Sequence, residues 1–122
     1  MKIDKAIELM KDFKFLKPEK SPKESLMCFG FECGDGWYSI LEKLFNEIEK
    51  LSPPDCFEII QVKEKFGGLR VYTTFSTETI EALIDEAEKE SVKTCEVCGE
   101  PGQLKTTHGW SKTVCEKYDK SK

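Results

Sequence analysis

The run Cys95-Glu96-Val97-Cys98-Gly99 carries the strongest chemical signal in this 122-residue chain. Two residues between cysteines bring both sulfurs to one ion. The glycine that follows permits the turn that aims backbone N–H groups at sulfur. Zinc takes four ligands in a tetrahedron. Cys115, with sixteen residues between it and Cys98, is placed to be the third. A second Cys-x2-Cys would put a ligand at 118, where Tyr118 stands. His108 is the only histidine and lies between Cys98 and Cys115, so it is the expected fourth. Cys33, Cys56 or Asp119 are the substitutes. The expected cofactor is Zn2+ on Cys95, Cys98, Cys115 and His108, in a closed structural site. Without His108 the site would look open, like a catalytic zinc. The plain alternative is three unliganded thiols.

Two further groups of residues could do chemistry. Lys63, Lys65, Arg70 and Tyr72 fall on one side of a hairpin pattern. Like charges facing each other across strands cost stability and invite an anion. That anion is either a ligand, with Tyr72 or Trp37 as a surface for a base, or the protein's own acidic helix. Glu64 falls on the opposite, apolar side of the same pattern. The second group is Glu32, Cys33 and Asp35, in a glycine-rich loop ending at Trp37. Paired carboxylates can divide acid and base roles, and a cysteine can be a nucleophile. The structural alternative makes Asp35 a helix cap and Cys33 a buried thiol.

These residues need elements to hold them. Apolar spacing predicts an amphipathic helix over 3–16, then an exposed Pro-rich linker over 17–25, so the first helix could be an arm. Three glycines at 30, 34 and 36 bend the chain before a helix that buries Trp37, Ile40, Leu41, Leu44, Phe45, Ile48 and Leu51. Ser52-Pro53-Pro54 stops it. Residues 57–75 form a hairpin with Gly67-Gly68 as its two-residue turn, which pairs Phe66 with Leu69 and Lys65 with Arg70. Ser76 or Thr77 caps a third helix with Ile80, Leu83, Ile84 and Ala87 inward and an acidic outer face. Residues 92–118 carry the metal motif on short strands, and 119–122 form a tail. The expected fold is α+β: a small antiparallel sheet built on the hairpin, helices on one face, and a zinc knuckle near the C-terminus, all in one domain over 26–118.

Composition narrows the function. Charged residues make up 34%, and no uncharged stretch exceeds seven residues. A membrane span needs roughly 20 apolar residues, so none is expected, and the chain reads as cytoplasmic. Net charge is −4, and Arg70 is the only arginine. DNA readers favour a basic excess and arginine forks, so the composition argues against nucleic acid as a partner. A reducing compartment turns the cysteines into ligands or buried thiols rather than disulfides.

Three runs together resemble a known group. They are Cys28-Phe29-Gly30-Phe31-Glu32-Cys33-Gly34-Asp35-Gly36-Trp37, Val62-Lys63-Glu64-Lys65-Phe66-Gly67-Gly68-Leu69-Arg70, and Cys95-Glu96-Val97-Cys98-Gly99-Glu100-Pro101-Gly102 with Gly109-Trp110 and Cys115. They are similar to a family of small uncharacterised proteins scattered through phages, prophages and bacterial genomes. The likeness covers about residues 26–118. That family usually carries a further Cys or His at the position of Tyr118. The resemblance implies a host-cytoplasm setting, with counter-defence as one role. The reading that follows is a non-enzymatic, zinc-stabilised binding protein. Its expected partner is a nucleotide-like anionic small molecule or a host protein, held by Lys63, Lys65, Arg70, Tyr72 and Trp37. A second copy could join through the N-terminal helix. The alternatives are a metal- or cysteine-dependent hydrolase using Glu32, Cys33 and Asp35, and a nucleic-acid-binding zinc protein.

Overall fold

A computed structural model describes residues 1–119 and shows an α+β fold with three helices and two small sheets. The elements are α1 (Ile3–Lys11), β1 (Phe31–Glu32), α2 (Tyr38–Lys50), β2 (Ile59–Lys65), β3 (Gly68–Thr73), α3 (Glu78–Ser91), β4 (Gln103–Thr107) and β5 (Trp110–Val114). The central sheet has the order β1-β2-β3. It is mixed: β2 and β3 are antiparallel, whereas β1 runs parallel to β2, with Phe31 beside Val62 and Glu32 beside Lys63. The expected tail begins at 119, and residues 120–122 of it lie outside the described residues.

The N-terminal segment departs from expectation. The helix ends at Lys11 rather than at residue 16, and its segment is not an arm. Phe13 and Phe15 leave helical geometry because their rings are needed in the core. Both pack edge-on against Phe45 of α2, and Phe15 also meets Phe57. Leu16 then bridges to Ile59, extending the sheet by one contact. The linker is tied down as well, since Lys20 donates to the carboxylate of buried Glu58 at 2.6 Å.

The hairpin forms one step away from the expected pairing. Lys65 faces Gly68, Glu64 faces Leu69, and Lys63 faces Arg70. The turn is therefore Phe66-Gly67, not Gly67-Gly68. Both turn residues have positive φ, 54° and 84°, which suits the right-handed twist of the strands. The slip lets Gly68 join the ladder and leaves Phe66 exposed. Glu64, on the apolar side, takes the Gly67 N–H at 2.7 Å and so fastens the turn. Val62 and Leu69 are fully buried against the helices. An irregularity between Ile59 and Gln61 turns Ile59 rather than Ile60 inward.

The outer edge of β3 is covered by α3. Thr77 caps that helix by accepting the Ile80 N–H. At its other end Ser91 Oγ accepts the Leu69 N–H at 3.0 Å, and Glu88 takes the Val71 N–H. The strand edge is thereby satisfied by side chains, which removes a template for aggregation. Among the described residues no helix is long and apolar enough to cross a membrane.

Candidate metal centre

Cys95, Cys98 and Cys115 converge, their three sulfurs lying within 4.8 Å of one another. The Cys98 and Cys115 sulfurs are 3.7 Å apart. A tetrahedron with metal–sulfur bonds of about 2.3 Å has edges of about 3.8 Å, so these thiols stand at ligand spacing. Cys95 is buried, Cys115 half-buried and Cys98 exposed. Three close cysteines of this kind could hold a metal ion.

The local backbone is arranged around the sulfurs. Gly99 N–H bonds the Cys95 carbonyl at 2.9 Å, and Gly99 has φ of 83°. Burial opposes ionisation of Cys95. N–H groups of Cys115, Cys98 and Val97 aimed at its sulfur outweigh that effect and hold the thiol below its ordinary value. Cys98 receives the Glu100 N–H, but desolvation and the two neighbouring thiols raise it. The backbone therefore favours the thiolate at Cys95 over that at Cys98.

His108 does not join them. It sits at the tip of the β4–β5 hairpin, exposed, with φ of 51°, and forms the two-residue turn with Gly109. Cys115 lies at the far end of β5. Five strand residues at about 3.3 Å each separate the two by about 16 Å. The expectation of His108 as a ligand is thus corrected: its position between Cys98 and Cys115 in sequence reflects a turn, not a shared centre. Cys33, Cys56 and Asp119 are not in the cluster either. Asp119 reaches Lys105 at 3.6 Å instead.

The knuckle rests on the glycine-rich loop. Gly36 N–H donates to the Glu96 carbonyl at 2.7 Å, and Gly34 N–H to the Glu96 carboxylate at 2.9 Å. A Cβ at Gly36 would lie 2.0 Å from the Cys95 carbonyl oxygen, so only glycine fits there. Trp37, fully buried, donates its Nε1–H to the Thr94 carbonyl at 3.0 Å. The hairpin turn grips from the other side, where Thr113 Oγ1 donates to the Gly67 carbonyl at 2.7 Å. A Cβ at Gly67 would also collide with Leu104 of β4 at 2.4 Å. The three motif runs meet at one place. Sequence spacing hid this, because they are separated by whole elements. The glycine pattern beside a tryptophan was its only trace.

That packing overturns three expectations. Trp37 is not a ligand platform, since it has no exposed surface. Asp35 does not cap α2. Its carboxylate accepts the Lys2 N–H at 2.8 Å, at the start of α1. Nor do Glu32, Cys33 and Asp35 form one carboxylate–thiol cluster. Glu32 is exposed on the sheet and accepts from Gln61. Cys33 is buried, and desolvation pushes its thiol up to about 12. A nucleophile needs the opposite shift.

The polar face of the central sheet is half-buried at Lys63 and Arg70 and exposed at Lys65 and Tyr72. Lys63 stands directly opposite Arg70, with Lys65 and Tyr72 alongside. Lys63 Nζ lies 5.9 Å from the centroid of the Tyr72 ring. The acidic helix reaches this face at Arg70. It contributes one half-buried carboxylate, Glu88, whose pKa burial raises and Arg70 opposes. Glu32 of β1 neighbours Lys63 from the other side. Compared with known family models, curated proteins and solved structures, the chain matches none.

Proposed function

We propose that the chain is a non-enzymatic, zinc-stabilised binding protein. In this reading Cys95, Cys98 and Cys115 hold Zn2+ as a structural ion. The polar face of the β2–β3 hairpin captures an anionic partner, either a nucleotide-like small molecule or an acidic patch on a host protein. The observation that carries the reading is the cross-strand pair Lys63–Arg70. Two half-buried cations opposed across the strands repel each other, and an incoming anion would relieve that repulsion beyond what Glu32 and Glu88 supply. Tyr72 offers a ring edge beside them. The likeness of three sequence runs to phage and prophage proteins supports a host-cytoplasm setting with a counter-defence role. The dispersal of Glu32, Cys33 and Asp35 argues against the hydrolase alternative.

Native mass spectrometry of protein purified from a bacterial host tests both halves. The expected spectrum shows one zinc per chain and a carried anionic ligand or a co-purifying protein. Lys63→Glu with Arg70→Glu should strip that partner and leave the zinc. Unaltered capture by the double variant would refute the assignment.

A second reading has one observation of its own. Trp110 is 77% exposed and lines a groove of about 320 Å³ with Lys105, Lys112 and Tyr118. Lys105 faces Lys112 across β4 and β5. Rings beside lysines suit single-stranded nucleic acid. Binding of an oligonucleotide that weakens steeply with salt and disappears in Trp110→Ala would favour it.

A further inference from the structure

We propose that the Cys95–Cys98–Cys115 centre is completed from outside the chain, by a thiolate sulfur that becomes the fourth ligand of its ion. The inference rests on the metal reading above and deepens it.

The chain has six cysteines and one histidine. Three of the cysteines are the centre. Cys33 is walled into the core near Glu96, whose carboxylate is turned to the Gly34 N–H. Cys28 lies in the turn Met27–Phe29, and Cys56 precedes β2, where its carbonyl accepts from Thr74. Both are exposed, and neither belongs to the cluster. His108 is a strand's length away at the tip of the β4–β5 hairpin. Among the described residues no carboxylate joins the three sulfurs either.

The chemistry of the set then selects the class of the outside ligand. Three sulfur donors choose a soft or borderline ion, and such an ion in a thiolate-rich site closes best with a fourth sulfur. Access is provided, because Cys98 is exposed and Cys115 half-buried. An incoming thiol gives its sulfur lone pair to the ion and its proton to solvent; nothing is oxidised. The same chemistry has two sources: a free small thiol, or the exposed Cys28 or Cys56 of a second copy.

Cobalt loading separates them, since sulfur-to-cobalt charge-transfer absorption counts sulfurs. The test uses anaerobic, thiol-free chain, both wild type and Cys28→Ser with Cys56→Ser. In the double variant, 2-mercaptoethanol should raise the absorption by about one third, as a fourth sulfur joins three. Native mass should then show one bound thiol on a monomer. A wild-type chain that already shows the four-sulfur spectrum as a dimer would support the same inference with a second copy as source. A four-sulfur spectrum in the thiol-free monomeric double variant would overturn it, because the chain would then complete its own site. Absence of any response to added thiol would overturn it too, while leaving the metal reading intact. Failure to take up cobalt or zinc at all would remove both.

Discussion

The two hairpins of this molecule share a turn and differ in everything that holds them. Phe66-Gly67 and His108-Gly109 are both two-residue turns with positive φ at each position. The strands of the first are buried: Val62, Leu69 and Val71 press on the helices, and α3 seals the outer edge. The strands of the second are exposed along most of their length, with only Thr113 and Val114 inside. An isolated two-stranded hairpin is marginal in water. The first therefore stands on apolar burial, and the second on what fastens its base, where Cys95, Cys98 and Cys115 meet. A local sequence signal can specify a turn, but it does not say which force keeps the strands together.

Metal removal should break the comparison most visibly. In the proposed function an ion fastens this region, and structural zinc contributes about 10–16 kcal/mol in small zinc peptides. Chelation, or Cys95→Ser, should abolish hydrogen-exchange protection over β4 and β5 and leave β2 and β3 protected. Equal loss in both hairpins would show that the metal supports the whole core. Trp37→Ala should come next, at about 3–5 kcal/mol, because it opens the core and also releases the Thr94 carbonyl. It is expected to weaken both regions together, measured by urea unfolding and metal affinity in parallel. A pH series reaches the core through Cys33, read as the difference between wild type and Cys33→Ala. Cys33 is raised from 9.0 to about 12, so the folded state keeps a proton that the unfolded state has lost. Stability should be unaffected by this group below pH 9 and fall by up to about 1.4 kcal/mol per pH unit between 9 and 12. Cys33→Ala should flatten that slope. Thr113→Val should cost about 1–2 kcal/mol, since it leaves the buried Gly67 carbonyl without its donor at the joint between the hairpins.

How much of this was legible depended on range. The helix over Tyr38–Lys50, its six inward residues from Trp37 to Ile48, and the Cys-x2-Cys knuckle are written in short spacings, and those were readable. Leu51, expected inward, is exposed because α2 ends at Lys50. The parallel β1 was not readable: two residues, Phe31 and Glu32, carry no period, and their partner lies thirty-one positions away. The function of the glycines at 34 and 36 was equally hidden. They looked like a loop with a catalytic trio, but the chain they make room for is the knuckle backbone. His108 shows the converse failure. Its residue type suggested a ligand, while its neighbour Gly109 carried the stronger message, a turn. The register slip has the same origin, because Phe66 at positive φ is a choice that local propensity disfavours.

That choice gives the finest test of the comparison. A bulky side chain in the left-handed region costs roughly 1–2 kcal/mol, and Phe66 is 72% exposed, so burial does not repay it. Its ring lies 5.5 Å from Lys65 Nζ, a contact of small value at an open site. What fixes the turn at Phe66-Gly67 is Glu64, whose carboxylate takes the Gly67 N–H, together with Leu69, which must stay inside. Phe66→Asn should therefore stabilise the chain by about 0.5–1 kcal/mol in thermal unfolding without moving the strands. His108→Asn should change little, because histidine already tolerates this region better than phenylalanine does. If Phe66→Asn destabilises instead, the exposed ring is gripping something that outweighs its strain. The two turns would then differ in purpose as well as in support.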